Sequence, residues 1–308
     1  MHNLLIDTDI GGEMTDAAAV TLAASSPEVR LLGVTTVTGN TLFRASAAGE
    51  LLELLGRPDV PIAAGINDQS AEPSWEKRVF TQGNHSRQPL GESWAAKLIV
   101  KTITDNPHQV TLVGIGPLST VARALELCPE LPVLTKGLAV MGGMMTSPMV
   151  DGTEVPRGFE YNFQADPAAA ERVLKAGFQL TIIPGDLTFQ KECAWTEDDI
   201  CELETIEHPA VRILAELNRR SVDAMRKDLP LAGFSPTLAR PWINDEALMM
   251  HFLQPDLFEA EELTFEWSMT GKYPRLTPGN TGIRATWVSG CRDFAALRKS
   301  ILERLAHI

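Results

Sequence analysis

The sequence predicts an α/β fold, with a mostly parallel open sheet and helices on both faces. Short apolar runs rich in β-branched residues alternate with alanine- and leucine-rich stretches of helical period along most of the 308 residues. Two late stretches, 264–271 and 283–290, instead alternate polar and apolar residues, which predicts a small antiparallel edge near the C-terminus. Since no linker or repeat interrupts this order, we expect residues 1–308 to form a single domain.

The first predicted element is a buried strand over residues 4–6. Gly11 and Gly12 allow a tight turn after it, and the run from Thr15 has high helix propensity, with Thr15 or Asp16 placed to cap its first turn. The same alternation then predicts one strand, with the turn that follows it, within each of the ranges 29–40, 60–65, 109–116, 138–145 and 178–188. Helices are predicted at 41–56, 92–107, 117–127, within 195–240, from Asp245 onward and at 293–308.

Acidic side chains are concentrated where the first predicted strand ends. Asp7, Asp9, Glu13 and Asp16 meet at one strand-loop-helix junction, on the rim where open α/β sheets bind ligands. Such carboxylates repel one another unless a cation or shared protons offset the repulsion. The donors are all oxygen atoms, which favours calcium or magnesium over zinc. Taken singly, these residues are also typical of helix caps, turns and buried hydrogen-bonded acids.

Composition excludes several classes of partner. With 27 basic and 40 acidic residues the formal net charge is −13, which argues against binding to DNA or RNA. The four cysteines have no CxxC spacing, so neither a disulfide framework nor a zinc site is expected, and a reducing cytoplasm fits best. No apolar run reaches the length of about 18 residues that a membrane span requires. We therefore expect a cytoplasmic protein that does not interact with membranes.

Three stretches of the chain resemble the inosine-uridine preferring nucleoside hydrolases. The first, DTDIGGEMTDA, is similar to the family's DxDPGxDDA calcium loop, although Ile10 replaces the proline and Thr15 replaces the first Asp of the DD pair. Two additional residues also separate Asp9 from Asp16. The second, EYNFQADPAAA, is similar to EFNxxxDPEAA, and the third, NDEAL, to the acidic ligand that opens a late helix. The three occur in the family's order.

The resemblance implies an enzyme that hydrolyses the N-glycosidic bond of ribonucleosides to free base and ribose, with water activated by Ca²⁺. The implied calcium ligands are Asp9, Asp16, Asp245 and the backbone carbonyl of Ile115. Asp9 would also be the catalytic general base that accepts the proton of the water. The implied substrate-binding residues are Thr15, Asn40, Met141, Glu160, Asn162 and Asn244. Glu160 and Asn162 are expected on the same side of an extended segment.

The leaving group is the part of the reaction for which the resemblance is weakest. Asn244 stands where many members have the histidine that protonates the departing base, and an amide cannot transfer a proton. Gln82 and His85, in the polar stretch 66–92, are candidate base-side residues, with His85 the nearest alternative acid. We expect instead that the base departs with hydrogen bonding alone, which makes inosine and uridine slow substrates and p-nitrophenyl riboside a fast one.

Other interpretations remain open at this point. Asn40 could cap the following helix rather than contact ribose. A non-catalytic or altered-specificity relative could bind calcium and a ribosyl group without turnover. A DxD phosphatase with Asp7 as nucleophile would leave the later motifs unexplained. We further expect a small-molecule ribonucleoside as the partner and a homo-oligomer, either a dimer or a tetramer.

Overall fold

A computed structural model of the chain describes residues 1–66 and 94–308. The candidate base-side residues Gln82 and His85 lie outside these ranges. In this part of the chain the strands are β1 (His2–Thr8), β2 (Val29–Thr36), β3 (Ile62–Ala64), β4 (Val110–Gly114), β5 (Gly137–Met141), β6 (Met149–Val150), β7 (Thr153–Glu154), β8 (Leu180–Ile183), β9 (Phe258–Thr270), β10 (Tyr273–Pro278) and β11 (Ile283–Cys291).

Nine of the strands within the described residues form one sheet, in the order β10-β9-β11-β8-β5-β4-β1-β2-β3. The seven strands from β11 to β3 pair in parallel, whereas β9 pairs antiparallel with both β10 and β11. The predicted fold class and its antiparallel edge are therefore confirmed. Strand β10 was not predicted, because its short polar sequence contains two prolines, Pro274 and Pro278.

Helices cover both faces of the sheet. The described helices are α1 (Met14–Ser25), α2 (Thr41–Leu54), α3 (Trp94–Asp105), α4 (Ser119–Leu127), α5 (Leu131–Leu134), α6 (Asn162–Ala165), α7 (Pro167–Leu174), α8 (Gly185–Thr188), α9 (Glu197–Thr205), α10 (Pro209–Asp228), α11 (Asp245–Leu253) and α12 (Phe294–Ala306). Side chains alternate across β1, so that Leu4 and Ile6 join the core under α1, α2, α10, α11 and α12. Leu5 joins the second core, under α3, α4 and α7.

Helix α1 differs from the prediction at its first turn. It begins at Met14, after Glu13, and neither Thr15 nor Asp16 caps it. Every residue from Met14 to Ala24 is buried, because alanines let the helix pack closely against α10 and α11. The side chains of Thr15 and Asp16 are consequently available for contacts outside the helix.

Membrane-spanning helices and disulfides are both absent from the described residues. No helix in the described part of the chain is long and apolar enough to cross a membrane. The four cysteines, all described, are free thiols.

Candidate active site

A cavity of about 310 Å³ lies beside the carboxyl ends of β1, β4 and β5. Nine of the predicted site residues line it: Asp9, Thr15, Asp16, Ile115, Met141, Glu160, Asn162, Asn244 and Asp245. Asn40 is not among the lining residues, and its side chain accepts a hydrogen bond from the Phe43 amide (3.0 Å) as the cap of α2. The structure thus favours the capping interpretation of Asn40, and its ribose contact stays a prediction.

The loop after β1 and the first turn of α1 bring two of the predicted metal ligands, Asp9 and Asp16, into the cavity. Asp16 is 7% exposed, and its Oδ1 accepts a hydrogen bond from the Thr8 hydroxyl (2.5 Å). Burial and the nearby charge of Asp9 raise the pKa of Asp16 well above its ordinary value. A Cβ on Gly116 would lie 2.9 Å from Oδ1 of Asp9, so only glycine lets the loop after β4 approach this carboxylate.

A buried arginine, which sequence reasoning missed, holds this loop from behind. Arg44 on α2 is 1% exposed and donates to the carbonyls of Thr38 (2.7 Å), Ile10 (3.2 Å) and Asp9. Burial raises the pKa of the Asp9 carboxyl, and the guanidinium partly offsets this effect. The available signal was a single arginine within an otherwise small and apolar helical face.

Thr15 links the first turn of α1 to the start of α11. Its hydroxyl donates to the Glu246 carboxylate (2.5 Å) and accepts from the Asp245 amide (2.8 Å). Trp195 donates a second, longer bond to Glu246 (3.4 Å). Glu246 is fully buried, and burial raises its pKa to about 7. This network fixes Asp245 beside Asp16, and Glu246 was also missed from the sequence.

The EYNFQADP segment is not extended as predicted. Tyr161 has helical dihedral angles and Asn162 opens α6, yet Glu160 and Asn162 both reach the cavity. The Glu160 carboxylate accepts from the Asn162 amide (2.7 Å), while the Asn162 side chain donates to the carbonyls of Ile115 (3.2 Å) and Met141 (3.1 Å). Asn162 therefore ties together the ends of β4 and β5. Burial raises the pKa of Glu160 to about 7.

Aromatic side chains from four separate segments form the apolar part of the cavity. The ring of Phe159 packs edge-to-face on Phe189 (5.1 Å between centroids) and on Phe234 (5.7 Å), and Phe189 packs in the same way on Trp242 (5.7 Å). Asp228, at the end of α10, also lines the cavity. The sequence analysis did not identify this group, because the rings come from segments that are distant in sequence and meet only in the folded chain.

The environment of Asp245 bears on whether the site suits a metal ion. Asp245 is 2% exposed, its Oδ1 has no hydrogen-bond partner among the described residues, and burial and the charge of Asp16 raise its pKa well above the ordinary value. Such a buried carboxylate is stabilised by a cation, and the oxygen donors suit Ca²⁺ or Mg²⁺. In residues 1–66 and 94–308 no three His, Cys, Asp or Glu side chains form a group that could hold a metal as they stand. The fit to a cation therefore rests on the buried, unpartnered oxygen of Asp245 and on the three carboxylates that line one cavity.

Asp7 is fully buried and does not line the cavity. Its Oδ1 accepts a hydrogen bond from the Thr35 hydroxyl on β2 (2.6 Å), and burial raises its pKa to about 7. A phosphatase nucleophile has to face its substrate, so this position argues against the DxD phosphatase interpretation.

Comparison with known proteins identifies a family. Residues 4–290 match the model of the inosine-uridine preferring nucleoside hydrolases. An uncharacterized protein of Schizosaccharomyces pombe is 30% identical over 274 residues, which cover 85% of this chain and 84% of that protein. A pyrimidine-specific ribonucleoside hydrolase RihB of Escherichia coli is 28% identical over 282 residues, covering 86% of this chain and 82% of that protein.

Solved structures share the fold over almost the whole length. A purine-preferring ribonucleoside hydrolase from Gardnerella vaginalis superimposes with a TM-score of 0.78 at 21% identity, covering 99% of this chain and 98% of the other. An inosine-uridine preferring nucleoside hydrolase from Bacillus anthracis gives 0.77 at 18% identity, with both chains fully covered. The match over residues 4–290, on a chain whose cavity joins the predicted motifs, shows that it belongs to the inosine-uridine preferring nucleoside hydrolase family.

Proposed function

We propose that this enzyme hydrolyses ribonucleosides in the described cavity with the help of a bound Ca²⁺ ion. The observation that carries the proposal is the meeting of Asp9, Asp16 and Asp245, from sequence-distant segments, at one cavity. Ile115 also lines this cavity, and its carbonyl is the fourth implied ligand. A bound divalent cation would polarise water and lower the pKa of that water.

Asp9 is the residue we assign as general base. It lines the cavity, and Arg44 holds its backbone carbonyl while favouring its ionised form. An ionised carboxylate can take a proton from water as the new C1′–O bond forms. The Asp16 carboxylate accepts a hydrogen bond from the Thr8 hydroxyl, and the backbone amide of Asp245 donates to the Thr15 hydroxyl, so that both residues are held at the cavity.

Glu160 and Asn162 are the residues we assign to ribose. Both line the cavity, and backbone groups hold both side chains in place. The Glu160 carboxylate accepts from the backbone amide of Asn162, and the Asn162 side chain donates to the carbonyls of Ile115 and Met141. Fixed polar groups orient the sugar so that C1′ faces the attacking water, which supplies part of the rate. The aromatic group of Phe159, Phe189, Phe234 and Trp242 offers a surface for the base.

A ribosyl-binding protein without turnover is the rival function, because Asn244 offers no proton and the buried Oδ1 of its side chain has no hydrogen-bond partner among the described residues. The discriminating experiment measures release of ribose from inosine, uridine and p-nitrophenyl riboside. It uses the wild type after chelation and after readdition of Ca²⁺. The proposal expects release of ribose that returns with Ca²⁺ and is lost in Asp9→Asn. Binding of ribosides without release of ribose from any of the three would support the rival.

A further inference from the structure

We propose that the preferred substrates are N-ribosides whose heterocycle carries a positive charge, such as N-ribosylpyridinium or N7-alkylpurinium ions. Two features carry this inference: the charged side chains among the described residues that line the cavity are all acidic, and the aromatic group Phe159, Phe189, Phe234 and Trp242 lines it as well. The inference rests on the proposed ribosyl hydrolysis and specifies the class of base that this site accepts.

Charge is the first line of support. Six carboxyl side chains among the described residues line the cavity: Asp9, Glu13, Asp16, Glu160, Asp228 and Asp245. No Lys, Arg or His side chain among the described residues lines it. A divalent cation held by Asp9, Asp16 and Asp245 leaves Glu13 and Asp228 as further acidic groups facing the substrate. The guanidinium of Arg44 donates to the backbone carbonyls behind the loop after β1, and Arg44 does not line the cavity. An acidic, half-enclosed cavity concentrates cations and disfavours a leaving group that departs as an anion.

The aromatic group is the second line of support. The rings of Phe159, Phe189, Phe234 and Trp242 form a continuous edge-to-face chain, which holds their positions while leaving ring surface toward the cavity. Aromatic faces attract planar cations through the ring quadrupole, and the attraction grows when the cation is desolvated. Asp228 is the last residue of α10, and Met225 on this helix and Leu229 directly after it line the same cavity.

The chemistry of the leaving group is the third line of support. In a cationic riboside the C1′–N bond breaks with its electron pair moving to the ring nitrogen, which cancels the positive charge. The heterocycle then leaves neutral and needs no proton, while water forms the C1′–O bond and gives one proton to Asp9. Asn244, which cannot act as an acid, is therefore adequate for this substrate class. A neutral nucleoside, in contrast, needs a proton donor or leaves as an anion.

The test compares nicotinamide riboside, inosine, uridine and p-nitrophenyl riboside on the calcium-loaded wild type, Asp228→Asn and Asp223→Asn. Asp223 lies on the same helix, is exposed and pairs with Arg226, so its substitution serves as the matched control. We expect kcat/KM for nicotinamide riboside to exceed that for inosine and uridine. Because a pyridinium riboside is intrinsically activated, the variants decide: Asp228→Asn should lower kcat/KM for nicotinamide riboside by about tenfold, the order expected for loss of one half-buried charge.

For p-nitrophenyl riboside, which is activated but uncharged, Asp228→Asn should change kcat/KM by less than about threefold. The control Asp223→Asn should leave all four values unchanged. Equal losses for the cationic and the uncharged activated riboside in Asp228→Asn would overturn the inference. A second result would also overturn it: the wild type hydrolyses inosine as fast as nicotinamide riboside, and Glu13→Gln abolishes hydrolysis of inosine alone. Glu13 would then be the proton donor for a neutral base. Failure of the proposed function is distinct: no riboside, p-nitrophenyl riboside included, would be cleaved.

Discussion

The hydroxyl of Thr15 joins two helices, and its removal in Thr15→Val should destabilise the protein markedly at almost unchanged side-chain volume. The substitution leaves the buried Asp245 amide without an acceptor and removes the 2.5 Å bond to the Glu246 carboxylate. A buried polar group that loses its partner costs about 1–3 kcal/mol, so the two groups predict a loss of about 2–6 kcal/mol in the free energy of unfolding. Urea unfolding of the chelated protein, followed by far-UV circular dichroism, measures it.

Thr21→Val on the same helix is the matched control. Thr21 is also fully buried, but its hydroxyl donates only to the carbonyl of Ala17 one turn earlier (2.7 Å). Because the helix ladder already provides a partner for that carbonyl, we expect a cost below about 1 kcal/mol. Thr15→Ser, which retains a hydroxyl, should recover most of the stability. Equal stabilities of Thr15→Val and Thr21→Val would refute the role assigned to this network.

Two further predictions concern the sugar and the pH dependence. Contact of the ribose diol with the cation and with fixed polar groups should make 2′-deoxyuridine roughly 30- to 1000-fold poorer than uridine in kcat/KM, and similar values would contradict that contact. Burial raises the pKa of Glu160 from 4.5 to about 7, so its contribution to stability is present below pH 4.5 and is lost as pH rises through 7. That loss is about 3 kcal/mol, so Glu160→Gln should make the free energy of unfolding depend less on pH between pH 5 and 8. An unchanged pH dependence in this variant would mean that another group titrates there.

Much of the fold could be predicted from the sequence because the parallel strands are buried on both faces. Runs such as residues 4–6 and 180–183 are short, apolar or β-branched and followed by turn residues, so their composition and length identify them. Strand β10 lacks this signal, since its stability comes from pairing with β9 rather than from its own composition. The start of α1 was misplaced for a related reason, because tertiary packing against α10 and α11 replaces a side-chain cap.

The site was predictable where a short motif carries it and not where distant partners do. Asp9, Asp16 and Asp245 belong to local patterns, and all three reach the cavity. Glu246 acquires its role from Thr15, which is 231 residues away in the sequence. The aromatic group likewise assembles from separate segments, so no local pattern reveals it.

A calorimetric titration of Ca²⁺ into chelator-treated protein tests the central claim most directly. The wild type should bind one Ca²⁺ ion, and Asp16→Asn should bind it much more weakly while keeping its melting temperature in chelator. Asp105→Asn, which alters an exposed ion pair with Lys101, is the control and should bind Ca²⁺ like the wild type. Stoichiometric Ca²⁺ binding of undiminished affinity by Asp16→Asn would contradict the ligand assignment on which the proposed hydrolysis depends.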